Sequence, residues 1–126
     1  MFDRELVLAD LSNIIWAIDQ IQKRFAAIAV MDDFTKDDAG LEKLDSICMQ
    51  LINIGEVLKQ IDKLTSGELL VKYPEIDWKR VKGLRDIITH HYFDIDAETI
   101  FSVCENHILP LRLCVSRMIT HLDRYE

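Results

Sequence analysis

The sequence predicts an all-α protein, folded as an up-and-down bundle of four to five helices. Two observations lead to this prediction. The 126 residues include only 4 Gly and 2 Pro, the residues that most often interrupt helices. Apolar residues recur at intervals of three and four, which is the spacing of one helix face, whereas strand-like alternation is absent. A chain of this length that is 49% hydrophobic fits one domain over residues 1–126.

The first half of the chain predicts two long amphipathic helices. The first covers roughly residues 4–29, and its apolar stripe consists of Leu11, Ile14, Ile15, Ile18, Ile21, Phe25 and Ile28. Residues 31–40 are polar and rich in cap residues, so we expect a loop there. The second helix has its stripe at Leu41, Leu44, Ile47, Cys48, Leu51, Ile54, Leu58 and Ile61. Gly55 within it costs about 1 kcal/mol relative to alanine, and it therefore predicts a close approach between two helices.

The second half predicts shorter helices with recognisable start signals. Residues 65–67 (Thr-Ser-Gly) end the second helix, and residues 68–72 predict a short helical segment. Asp77 is a suitable N-cap for a third main helix that ends near Tyr92. Its apolar residues are Val81, Leu84, Ile87 and Ile88. Asp96 caps a last helix, which Pro110 is expected to kink or break.

The net charge is −7, which argues against broad, charge-driven binding to nucleic acid. Positive charge is nevertheless concentrated in residues 79–92, which contain four cations and one anion. This run, with Lys79, Arg80 and Lys82, predicts either a contact with RNA or a partner, or a solvated face. An acidic protein with a small basic site is compatible with either interpretation of this run.

The composition also bears on compartment and metal binding. No apolar run is long enough to span a bilayer, and the first residues lack the features of a signal peptide, so we expect a soluble cytoplasmic protein without membrane contact. Cys48, Cys104 and Cys114 lie within helical apolar patterns, which favours buried thiols over disulfides. No spacing of cysteines or histidines indicates a metal site.

The most informative stretch has the pattern R-x4-H-x-Y, formed by Arg85, His90 and Tyr92. An arginine can hold a phosphate with a planar fork of donors. A histidine can transfer a proton near neutral pH. A tyrosine hydroxyl can donate, accept or be modified. Together these side chains are sufficient for phosphodiester chemistry on RNA without a metal.

Four sequence blocks, in order, resemble the HepT-like toxins of the HEPN superfamily. They are residues 54–57 (Ile-Gly-Glu-Val), 73–78 (Tyr-Pro-Glu-Ile-Asp-Trp), 83–93 (Gly-Leu-Arg to Tyr-Phe) and 95–96 (Ile-Asp). The resemblance implies an all-α bundle that forms a homodimer or a larger assembly. It also implies a metal-independent endoribonuclease toxin of a toxin–antitoxin system, without a cofactor of its own.

The resemblance further implies roles for particular residues. Arg85 and His90 would be catalytic, and Asp86 fits the polar residue that often follows the motif arginine. Tyr92 would be adenylylated by a partner antitoxin, a nucleotidyltransferase of the MNT type that uses ATP. The chain departs from the pattern at Asp94, where glycine is expected more often. His91 is a second histidine, so either ring could transfer the proton.

Several alternatives stay open at the level of sequence. Gly55 with Glu56 is mainly a packing feature, although Glu56 could also form an ion pair with Arg85, and Phe93 is interpreted as a packing residue. On a regular helix Arg85 and His90 lie about 140° apart, so the helix loosens before His90 or two copies line one groove. The rival function is a non-catalytic subunit that binds a nucleotide or docks the nucleotidyltransferase.

Overall fold

The computed structural model describes residues 2–124, except for the side chain of Tyr92. Within this range the protein contains five α-helices and no strand: α1 (Arg4–Phe25), α2 (Asp38–Thr65), α3 (Trp78–His90), α4 (Ala97–Asn106) and α5 (Ile108–Arg124). Three short 3₁₀ segments connect them: Met31–Phe34, Leu70–Lys72 and Tyr92–Asp94. The predicted all-α fold is confirmed.

The helices form an up-and-down bundle. Arg4 Nη1 donates to the carbonyl oxygen of Leu122 at 3.0 Å, and Arg112 Nε donates to Asp19 Oδ1 at 2.9 Å. These two contacts show that α5 runs antiparallel to α1. α2 packs against both α1 and α3, so it forms the centre of the arrangement that carries the candidate site.

The core is built from the apolar stripes of α1, α2 and α5. The fully buried large side chains are Phe34, Leu11, Ile14, Ile18, Ile21, Ile47, Ile54, Leu58, Ile61, Ile88, Ile100 and Met118. The predicted stripes are therefore largely correct, although Leu41 at the start of the second stripe is exposed. α3 contributes less, because only Trp78 and Ile88 are buried along its length. Ile87, predicted as part of the α3 stripe, is exposed instead.

The first helix ends at Phe25, four residues before the predicted end. The amides of Ala27 and Ile28 donate to carbonyls three residues earlier, which tightens the chain into a turn. The ring of Phe25 packs on Phe34 and Phe101, with ring centroids 6.3 and 5.2 Å away. This aromatic cluster stabilises the reversal of the chain, and Ile28 remains buried outside the helix.

α2 begins at Asp38, earlier than the predicted stripe. The side chain of Asp37 accepts a hydrogen bond from the Gly40 amide at 2.8 Å, which satisfies one of the free donors at the helix start. The helix ends as expected, because Ser66 and Gly67 both adopt positive φ. The Ser66 amide donates to the carbonyl of Asp62.

The last predicted helix is divided in two at His107. Pro110 lies in the first turn of α5, where a missing amide proton is tolerated. In a continuous helix that amide would donate to the carbonyl of Asn106, and proline has no proton to give. The predicted kink or break at Pro110 is confirmed as a break three residues upstream.

Two further features concern the helices as a group. No helix in residues 2–124 is long and apolar enough to cross a membrane. Cys48 and Cys114 are buried and Cys104 is half-buried, all as free thiols. Burial raises the pKa of Cys48 and Cys104 to about 12, so both thiols stay protonated near neutral pH.

Candidate active site at the surface of α2 and α3

Arg85 lies in the middle of α3 and faces α2 across Gly55. A Cβ built on Gly55 would lie 2.6 Å from the Cβ of Arg85, which is closer than real side chains come to one another. The close helix approach predicted from Gly55 is therefore present. It brings Arg85, which is 33% exposed, against the polar surface of α2.

Two carboxylates hold the guanidinium of Arg85. Its Nε forms an ion pair with Glu56 from α2, and its Nη1 donates to Asp86 Oδ1 at 2.7 Å. The ion pair with Glu56 that the sequence suggested is thus observed. The hydrogen bond from Arg85 lowers the pKa of Asp86, and the same bond raises the pKa of Arg85. Both groups are therefore charged near neutral pH.

Lys59 belongs to one cluster with Glu56, Arg85 and Asp86, although the sequence alone did not indicate it. Its Nζ lies 3.6 Å from Asp86 Oδ1, the atom that also accepts from Arg85. Two cations from different helices therefore share one carboxylate oxygen at the surface. The only signal in the sequence is helical spacing, because Lys59 follows Gly55 by four residues and so lies on the same face of α2.

The basic run at the start of α3 divides into two groups. Lys82 forms an ion pair with Asp62 of α2, so it braces the two helices within the chain. Lys79 and Arg80 are exposed in the first turn of α3. Their predicted contact with RNA or a partner stays a prediction.

His90 and His91 lie at the carboxyl end of α3, and both are exposed. His90 is the last helical residue and His91 is the C-cap. The helix does not loosen before His90, which was one of the two predicted solutions to the geometry. It ends at His90, near Tyr92 as predicted. His90 therefore stays about 140° around α3 from Arg85, and one copy of the helix does not place both on one face.

The chain after α3 forms the 3₁₀ segment Tyr92–Asp94, closed by a hydrogen bond of 2.9 Å from the Asp94 amide to the His91 carbonyl. The side chain of Tyr92, the predicted modification site, lies outside the described residues. Phe93 is 99% exposed, so its interpretation as a packing residue is wrong for this chain. Among residues 2–124 only Ser66 and Gly67 have positive φ, and aspartate at position 94 is therefore accommodated without left-handed backbone.

α3 and the facing side of α2 together carry groups for phosphate binding and, at the end of α3, for proton transfer. Arg85 and Lys59 can bind an anion that competes with the two carboxylates, and the exposed histidine rings can accept or donate a proton. In the described part of the chain, no three His, Cys, Asp or Glu side chains come together as a metal site.

Comparison of the sequence with known proteins identifies a family. The sequence model of the family described as "Ribonuclease HepT-like" matches residues 14–118, which include α2, α3 and the whole cluster. The chain belongs to the HepT-like ribonuclease family. The resemblance inferred from the four sequence blocks is thereby confirmed.

Curated relatives of this HepT-like protein come from Methanocaldococcus jannaschii. "Putative RNase MJ0127" is 32% identical over 77 residues, which cover 61% of this chain and 58% of the relative. "Putative RNase MJ0125" is 30% identical over 105 residues, 76% of this chain and 87% of the relative. "Gamma-glutamylcyclotransferase and putative RNase MJ0434" is 29% identical over 94 residues, 40% of its length. No solved structure gave a significant match.

Proposed function

We propose that this HepT-like protein is a metal-independent endoribonuclease that cleaves RNA by attack of the neighbouring 2′-OH. The observation that carries the proposal is the position of Arg85, held at the surface by Glu56 and Asp86 on the helix that ends in His90. The family and the ribonuclease names of its relatives support the reaction class. We further propose that its biological role is that of a toxin.

The reaction needs a base, an acid and a cation. The base removes the proton of the 2′-OH, and the 2′-oxygen forms a bond to phosphorus. Arg85, with Lys59 beside it, stabilises the charge on the non-bridging oxygens. The bond between phosphorus and the 5′-oxygen breaks, and the acid protonates that oxygen. The products are a 2′,3′-cyclic phosphate and a 5′-OH end, and His90 or His91 supplies the proton transfer.

A homodimer would bring the arginine and the histidine together. Within one helix the two side chains lie about 140° apart. Two copies of α3 beside a two-fold axis would instead line one shared active groove from both sides. Ile87, between the two motif residues, is 57% exposed. An apolar side chain in that position supports burial against a second copy of α3.

Tyr92 suggests how the activity would be controlled. Adenylylation of its hydroxyl by an antitoxin of the MNT nucleotidyltransferase type, with ATP as donor, would add a phosphate and a bulky nucleoside near the motif. The added negative charge would repel the RNA backbone and occupy the cationic cluster. The cationic Lys79 and Arg80 would be available to contact RNA or this partner.

The deciding experiment is cleavage of total RNA by the purified protein, with Arg85→Ala and His90→Ala compared with wild type. Arg85→Ala should lose about 100-fold or more of the rate, since a charge-stabilising donor is removed. His90→Ala should lose a similar factor if it transfers the proton. Arg117→Ala and His107→Ala, which remove an arginine on α5 and an exposed histidine, are matched controls and should cleave like wild type.

The second candidate is a non-catalytic subunit that binds a nucleotide or docks the nucleotidyltransferase. The net charge of −7 and the two carboxylates around Arg85 favour it, because both oppose RNA binding. Such a subunit would cleave nothing and would still bind its partner after His90→Ala. The enzyme would instead lose cleavage on this change and keep its dimer.

A further inference from the structure

A surface groove between α1 and α2 has no assigned role. Its volume is about 300 Å³, and its polar lining comes from Asn13 and Trp16 on α1 and from Gln50, Asn53 and Glu56 on α2. Its floor includes Ile14 and Ile54, which belong to the core. The groove is thus an open site with an apolar floor and a mainly uncharged polar rim.

The rim combines amide side chains with an exposed indole. Asn53 Nδ2 donates to Gln50 Oε1 at 3.2 Å, which orients two of the three amides. Trp16 is 58% exposed, although tryptophan is usually among the more buried residues. Each amide can both donate and accept, and this is the chemistry that reads the edge of a nucleobase. An exposed indole provides a surface on which a base can stack.

Glu56 lies between the groove and the cations Arg85 and Lys59. Its side chain lines the groove and also forms the ion pair with Arg85. One side chain, Glu56, therefore separates a ligand in the groove from Arg85, the group proposed to hold the phosphate. In single-stranded RNA every phosphate has a base next to it, so the two sites have the arrangement of adjacent parts of one strand.

From these observations we infer that the groove binds one base of single-stranded RNA next to the phosphate held at Arg85. Trp16 stacks on the base, and Asn13, Gln50 and Asn53 hydrogen-bond its edge. The inference deepens the proposed function, because it rests on RNA as the substrate. It also predicts a preference for unpaired RNA, since a base within a duplex cannot enter the groove.

The lining favours a base over an apolar protein segment. A partner helix that covered the groove with aliphatic side chains would bury Asn13 without a ligand to hydrogen-bond. It would do the same to the donors and acceptors that Gln50 and Asn53 do not use for each other, which is unfavourable. A base provides an aromatic face for Trp16 and donors and acceptors for the amides at the same time. The lone carboxylate, Glu56, can accept a hydrogen bond from an exocyclic amino group.

The test is the binding of a short single-stranded RNA whose 2′-OH groups are methylated, so that it cannot be cleaved by 2′-OH attack. Trp16→Ala should weaken its affinity about ten-fold, the expected loss of one stacked base. Asn13→Ala should weaken it by a smaller factor. Val71→Ala and Asn106→Ala, exposed residues outside the groove, are matched controls and should bind like wild type. Binding should also quench the fluorescence of Trp16, whereas Trp78 is buried.

Each outcome decides between explanations. Wild-type affinity in both Trp16→Ala and Asn13→Ala would overturn the inference. Loss of binding that coincides with a change from dimer to monomer, measured by light scattering, would assign the groove to a second copy and also overturn it. The proposed function is tested separately. If the protein binds RNA through Trp16 but never cleaves it, the nuclease is rejected and the groove is kept. Cleavage at RNA concentrations below saturation that is unaffected by Trp16→Ala would keep the nuclease and reject the groove.

Discussion

At the scale of single residues, the candidate site is a balanced cluster of charges. Arg85 and Lys59 share the carboxylate of Asp86, and Glu56 holds the other side of the guanidinium. The two cations are therefore positioned before any ligand arrives. A phosphate that displaces the carboxylates would gain charge-assisted hydrogen bonds from groups that need little rearrangement.

Lys59→Ala tests whether the second cation takes part in the reaction. Removal of its charge should lower the cleavage rate about ten-fold, because less positive charge faces the phosphate in the transition state. Lys63→Ala, an exposed lysine one turn further along α2, is the matched control and should change the rate by less than about two-fold. Equal rates for the two variants would show that Lys59 only supports Asp86.

Asp10→Asn tests a buried carboxylate outside the site. Asp10 is 8% exposed, and in the described part of the chain its Oδ2 has no hydrogen-bond partner. Burial raises the pKa of Asp10, so the fold loses stability as pH rises from the unfolded pKa through the raised folded value. Asp10→Asn should therefore increase the free energy of unfolding near pH 7 by about 1 kcal/mol.

The pH dependence provides the control for Asp10→Asn. The difference between wild type and variant should shrink at acidic pH, below the raised pKa of Asp10, where the carboxyl group carries its proton in the folded protein. Urea denaturation followed by circular dichroism at both pH values measures it. A variant that is less stable than wild type near neutral pH would contradict the role of burial.

At the scale of elements, the site depends on the contact between α2 and α3. Gly55→Ala would place a Cβ 2.6 Å from that of Arg85, so α3 must shift. We expect a loss of about 1–3 kcal/mol in the free energy of unfolding and a lower cleavage rate. Gly83→Ala on α3 is the matched control, because nothing lies within 4 Å of its added Cβ. It should stabilise the protein by up to about 1 kcal/mol. Equal melting temperatures for the two variants would contradict the close approach.

Several elements could be predicted because their signals are local. Asp77 and Asp96 cap α3 and α4 through their own side chains, as expected. The end of α1 could not be predicted, since the apolar spacing continues to Ile28 after the helix has ended at Phe25. The chain turns there because of an aromatic cluster with Phe34 and Phe101, which are distant in sequence.

The candidate site also combines local signals, which the sequence shows, with contacts between helices, which the sequence does not show. The motif residues Arg85 and His90 could be predicted because both lie in one short stretch of sequence. The contact between Glu56 and Arg85 was suggested by matching blocks in two helices. Lys59 could not be assigned, because its contact with Asp86 depends on the register between α2 and α3. The exposure of Trp16 depends on packing between α1 and α2, which the helical pattern alone does not reveal.

In the molecule as a whole, the proposed homodimer uses two chains to form one shared active groove. Mixed dimers provide a direct test of this arrangement. Where His90 is the motif histidine that transfers the proton, Arg85→Ala and His90→Ala should each lose about 100-fold of the activity alone. A mixture allowed to exchange subunits should recover part of it. The recovery arises because the shared active groove of a mixed dimer combines an intact arginine from one chain with an intact histidine from the other.

Controls make the mixing experiment decisive. A double variant, Arg85→Ala with His90→Ala, mixed with either single variant should stay inactive. Light scattering should show that all the variants remain dimers. The absence of any recovery in a verified mixed dimer would show that arginine and histidine act within the same chain.

Above all, we propose that Arg85 and a motif histidine cleave RNA without a metal ion. The most direct measurement is cleavage of RNA in EDTA by the unmodified protein, followed by analysis of the ends. We expect cleavage that persists in EDTA, leaves 2′,3′-cyclic phosphate and 5′-OH ends, and is lost in Arg85→Ala. Cleavage that EDTA abolishes, or no cleavage by a folded, unmodified protein, would contradict a metal-independent nuclease.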